Sequence, residues 1–366
     1  MPMQTIQVGK VSLKALEPTL DQAFIRFYAA VQSKTLPDER TFDSAAEQFL
    51  RARSAYQDHD DYFNNFTQLW QLNLRTQRFD VAAAVWPWAL RPALRIEADG
   101  GAKLHKGTPY YFWGMTELLA DKLDNGYLLM YRSFEEDVRT HGSMAPQTPG
   151  FALLTLDHHR PDQAFRSWVQ GQARAVEGRL ANYCNSHGRT LDLITFRQKY
   201  LAQPQWRDAV QMYCYAMARV GRLLSIPPEL WEGPFPAQVA FDSLFDLCLV
   251  IDAALHEKHL AAWRFIDLAE MLASRAGLHL TRPQLGIING MFDANFGATL
   301  RQALSGHLRL SDGTPVAGLN ASVSIAYGCR NRGAHSVASV PLTPKEYDAI
   351  VDHLNFVLFL TVDTLY

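Results

Sequence analysis

The sequence predicts a mostly α-helical protein, and three observations carry that expectation. Apolar residues recur at helical spacing through most of the 366 residues. Clean apolar/polar alternation between turn residues, the mark of a half-buried strand, is scarce. Helix starts and stops are marked by Ser/Thr caps, first-turn prolines and Gly/Pro breaks.

Taken in order, residues 6–13 are the clearest strand candidate, and a second lies near 152–157. Residues 16–32 form the first expected helix, with Phe24, Phe27, Tyr28 and Val31 on one face. Residues 44–56 form the next, with Ser44 as N-cap and Glu47 at capping-box spacing. Two helix pairs follow, 62–77 with 79–93 and 109–123 with 127–141, the second broken at Asn125 and Gly126. Their alternation of large and small residues is similar to the hairpins of tetratricopeptide-like arrays, and two unequal pairs also suit a plain antiparallel bundle. The Pro/Gly-rich stretch 142–150 is the first expected boundary. A long helix runs from Pro161 and Asp162 to 186, and the WEGPFP stretch at 231–236 is the second boundary. Beyond it lie expected helices at 237–255, 261–276, 281–305, 320–332 and 344–366, with a turn-rich loop at 308–315. Thr281 with Pro283, and Thr343 with Pro344, fit helix starts. The expected organisation is therefore an N-terminal helical region, 1–150, with a sensing or interaction role, a helical middle region, 151–232, and a self-contained helical domain, 233–366.

Hydrophobic residues make up 48% and charged residues 20%, so the chain is an ordinary globular one and not a disordered tail. A formal net charge of -2 excludes a polycation that coats nucleic acid, and any phosphate contact must be local. Cys184, Cys214, Cys248 and Cys329 form no CxxC pair, which points to reduced, mostly buried thiols. No secretory signal and no uninterrupted spanning segment is visible, so a cytoplasmic protein without a membrane partner is expected.

Chemistry concentrates at Arg330, Asn331 and His335, in the stretch AYGCRNRGAHS. An apolar helix precedes the arginine, and a strongly apolar helix closes the sequence. Acid–base chemistry at a phosphate needs a group that moves protons near neutral pH, which an imidazole such as His335 provides. It also needs fixed positive charge on the phosphate oxygens, which a guanidinium such as Arg330 provides. Asn331 offers a donor and an acceptor for orienting either group. Six arginines against two acids between residues 271 and 335 make this stretch locally basic, as a localised phosphate site would be, and Arg332, Arg301 and Arg309 are its candidate contacts. Other Arg/His pairs at similar spacing, Arg53 with His59 and Arg301 with His307, lack the Arg-Asn pair and this context. His256 with His259, and Asp157, His158, His159 with Asp162, are weaker metal-ligand candidates. No HExxH, GxSxG, GxxxxGK[ST] or GxGxxG is present, which leaves no zincin, common hydrolase, P-loop or dinucleotide reading.

The Arg330-Asn331-…-His335 motif ahead of a closing helix resembles the signature of the HEPN superfamily: an arginine, a polar neighbour, and a histidine a few residues on. The resemblance covers the C-terminal part of the chain and implies a HEPN-like helical bundle. It implies a metal-independent endoribonuclease with no cofactor, in antiviral defence or toxin-like growth arrest. It also implies a homodimer whose two motifs meet across a two-fold axis, with RNA as substrate and an inhibitory or activating protein as further partner. Phe356, Phe359 and Leu360 of the last helix are candidates for the dimer surface or for ordinary core. The alternative is a noncatalytic helical scaffold whose HEPN-like domain dimerises or binds nucleotide, RNA or a protein.

Overall fold

The computed structural model describes residues 4–33, 35, 37–53, 56–157, 159, 163–203, 207–262, 264–335 and 340–366. The chain is mostly α-helical, as its periodicity predicts, and falls into two compact units, Met1–Ala152 and Leu153–Tyr366.

The first unit opens with a hairpin of β1 (Thr5–Val8) and β2 (Val11–Lys14), antiparallel with Thr5 opposite Lys14. Gly9 sits in its turn at φ +60°, a conformation that suits a residue without Cβ. Helices α1 (Pro18–Gln32), α2 (Glu39–Ala52), α3 (Tyr56–Arg75) and α4 (Phe79–Ala98) follow. Asn65 of α3 holds the hairpin by accepting from the Lys14 amide at 2.9 Å and donating to the Lys14 carbonyl at 2.9 Å. The start of α2 lies earlier than Ser44 because the Asp38 side chain accepts from the Thr41 amide and caps the helix. Phe24, Phe27, Phe42, Tyr62 and Phe66 then meet as one aromatic core.

Helices α5 (Gly107–Leu119) and α6 (Leu123–His141) form the second hairpin. The expected break at Asn125 and Gly126 is inside α6, and the turn falls instead at Asp121, φ +63°. Gly126 is there for packing: a Cβ on it would lie 2.4 Å from Leu118 Cγ, and one on Gly114 would lie 3.0 Å from the Gly126 carbonyl oxygen. A 3-10 turn, Gly142–Gln147, leads into α7 (Pro149–Leu154). The strand expected near 152–157 is thus helical at its start, because Pro149 is pre-set for a first helical position.

The second unit contains α8 (Gln163–His187), α9 (Leu193–Phe196), which runs into a π-helical turn (Arg197–Leu201), and α10 (Arg207–Leu224). It continues with α11 (Pro234–Lys258), α12 (Phe265–Arg275), α13 (Arg282–Ala294), α14 (Phe296–Leu304), α15 (Leu319–His335) and α16 (Pro344–Leu365). The single helix expected at 281–305 is two, because Asn295 leaves helical geometry and its side chain caps α14 through the Ala298 amide. Thr343 and Glu346 form a capping box at the start of α16.

Helix α16 is the axis of this unit. Leu354, Phe359 and Leu360 are fully buried and Phe356 nearly so. Phe359 packs edge-on to Phe196, and Phe356 meets Tyr183 and His187. These side chains are core and not an exposed dimer surface. The middle region packs on the same helix: Arg179 of α8 is clamped by Asp348, at 2.6 Å, and Asp352, and Tyr213 of α10 donates to Asn355 at 2.9 Å. The 231–236 stretch is a turn and a helix start within one packed body, with Trp231 buried against Tyr347. No described helix is long and apolar enough to cross a membrane.

Candidate functional site

Helix α15 carries the motif on its last turns. The sequence brings two glycines to this segment, and both sit where a side chain would collide. A Cβ on Gly328 would lie 2.8 Å from the Phe292 ring, and one on Gly333 would lie 2.1 Å from the Phe245 ring. Close approach of α11 and α13 fixes the direction in which the intervening polar side chains leave the helix.

Arg330 reaches α11, where its Nη2 and Nε donate to one oxygen of Asp252 at 3.2 and 3.4 Å. The guanidinium also lies 5.7 Å from the Phe265 ring centroid on α12. The pair is part-exposed, 28% for Arg330 and 21% for Asp252, so it contributes at most about 1 kcal/mol. Two of five N–H donors are engaged, and among the described residues no other hydrogen-bond acceptor meets this guanidinium. Asn331 turns to α13 and donates to Asn289 Oδ1 at 2.7 Å, while Asn289 donates to Asp293 at 2.8 Å. His335 closes α15, and its side chain lies outside the described residues.

The candidate RNA contacts have different surroundings. Arg301 is taken up by Glu346 of α16 at 2.7 Å and by the Pro341 carbonyl at 3.0 Å. Arg332 lies 5.6 Å from the Phe296 ring centroid. Arg309 is exposed, beside an isolated β-bridge to Pro315. Arg282 pairs with Asp267 at 3.2 Å. The local surplus of arginine along the sequence is therefore largely balanced in space by carboxylates from α11, α12 and α16. Asp252, Asn289 and Glu346 are the partners that linear reading misses.

Neither weaker metal candidate forms a three-ligand group among the described residues. His256 and His259 meet through a backbone bond at the end of α11, and among the described residues no third ligand joins them. Asp157 pairs with Arg197 at 3.0 Å, while His158 and Asp162 lie outside the described residues. The cysteines are free thiols; burial pushes Cys214 and Cys329 up to about 12, so neither is a nucleophile at neutral pH. No family model, no curated protein and no solved structure matches this chain.

Proposed function

We propose that the second unit is a HEPN-like, metal-independent endoribonuclease with Arg330, Asn331 and His335 at its site. The observation that carries this reading is the state of Arg330. It is held in place by Asp252 and Phe265, yet it is part-exposed with donors to spare. A guanidinium positioned but not saturated can take the developing charge on a phosphate oxygen. Asn331, fixed by Asn289, is the next side chain on the same turn. His335 follows at the helix end and is the natural proton carrier. The resemblance supplies the reaction class: attack of the ribose 2′-hydroxyl on the adjacent phosphate, a homodimer bringing two motifs together, and a setting in defence or growth arrest, with a partner protein as regulator.

The same ion pair favours a second reading, a noncatalytic scaffold in which Arg330 only fastens α15 to α11. Cleavage of labelled single-stranded RNA in EDTA separates the two. Under the nuclease reading the wild type cuts, and Arg330→Ala and His335→Ala each lose about 100-fold or more in rate. Arg330→Ala then changes folding stability by no more than about 1 kcal/mol, as expected for an exposed pair. A wild type that leaves RNA intact as a folded dimer, or variants that cut as well as wild type, sinks the assignment.

A further inference from the structure

We propose that the first unit holds a binding site for one divalent transition-metal ion of the zinc class, with His105, Asp137 and His141 as its ligands. The proposal does not rest on the ribonuclease reading, since all three residues belong to the first unit.

Asp137 and His141 are four residues apart on α6, so they share one face of the helix. His105 comes from the segment joining α4 to α5, two residues before α5 begins. The three donor atoms all lie within 4.8 Å of one another. His105 Nε2 is 3.0 Å from Asp137 Oδ1, and the two imidazole rings meet edge to face with centroids 5.0 Å apart. Zinc bonds of about 2.0–2.2 Å place tetrahedral donors about 3.3–3.6 Å apart, which a small rotation of the exposed His141 satisfies. Two imidazoles and a carboxylate are the donor set that suits zinc and its first-row neighbours, and three protein ligands leave a coordination position open.

The surroundings are built for this meeting. Gly107 starts α5 beside the cluster, and a Cβ on it would lie 2.2 Å from Asp137 Oδ1 and 2.6 Å from His105 Nε2. Any other residue at 107 would push the carboxylate or the imidazole out of place. The charged neighbours cancel: Lys106, 1% exposed, bridges Glu97 at 2.5 Å and Glu136 at 3.3 Å, and Arg139 also pairs with Glu136 at 2.5 Å. The 4%-exposed Asp137 is left as the local anion. A dication placed between the rings would complete that arrangement.

The test is titration of the metal-stripped full chain with cobalt(II), followed by its visible absorption and then by zinc competition. The expected result is one cobalt per chain, displaced by zinc. His105→Ala and His141→Ala should each weaken binding by more than about tenfold, while His307→Ala in the second unit should bind as wild type. His141 is exposed, so its replacement leaves the fold intact, which circular dichroism verifies. A wild type that takes up no cobalt overturns the proposal, and so does a folded His141→Ala that binds unchanged.

Discussion

At the scale of single residues, burial decides what the titratable groups can do. His353 of α16 hydrogen-bonds Ser322 of α15 at 2.9 Å, and burial lowers its pKa to about 4, with His187 adding repulsion. Its imidazole is neutral in the fold, whereas the unfolded chain takes up the proton near the ordinary value of about 6.5. Between those values the unfolded state binds more protons, so stability is fully present above about 6.5 and is lost as pH falls toward 4. The full swing is about 3 kcal/mol. His187, also lowered, acts in the same direction, while the raised carboxyls of Asp246 and Asp352 act against it. Comparing His353→Gln with wild type by urea unfolding from pH 7 to pH 4 isolates the imidazole. The variant should keep stability that wild type loses, and parallel profiles would show that the ring titrates normally in the fold. The same scale shows what one sequence can reveal. Arg330, Asn331 and His335 stand out because they are neighbours in the chain. Asp252 and Asn289 lie 78 and 42 positions from their partners, and no local pattern marks them. Counting arginines along a segment overstated its charge for the same reason, since Glu346 and Asp267 arrive from other helices.

At the scale of elements, helices were legible because periodicity and caps are local, and boundaries failed where a residue served a distant contact. Gly126 reads as a break in isolation and is a packing residue in the hairpin. Ser44 reads as a cap, while the nearer start belongs to Asp38. Helical glycines accordingly divide into two kinds. Gly126→Val would drive a branched side chain into Leu118 and should lower stability by about 1–3 kcal/mol. Gly178, on an exposed face of α8, has nothing within 4 Å of an added Cβ. Gly178→Ala should therefore raise stability by about 0.4–1 kcal/mol by restricting the unfolded chain. Urea midpoints of the two variants test the distinction, and a neutral Gly126→Val would mean that α5 and α6 have room between them.

At the scale of the whole molecule, the Pro/Gly-rich stretch before residue 150 was visible in sequence, but the residues that open the second unit are marked only by contacts further on. Leu153, Leu154 and Leu156 are buried. The Leu154 carbonyl accepts from Cys214 at 3.2 Å, and the Thr155 carbonyl accepts from Arg197 at 2.9 Å. The second unit therefore needs α7 although its own long helices begin with α8. A fragment of residues 148–366 should unfold cooperatively in urea, having kept every one of these contacts. A fragment of residues 163–366 loses three buried leucines and should be less stable by at least about 4 kcal/mol, at roughly 1.5 kcal/mol or more per side chain. Equal stability of the two fragments would show that the leucines contribute nothing to the second unit. Failure of the longer fragment to fold, with the full chain intact, would show that the second unit is not self-sufficient.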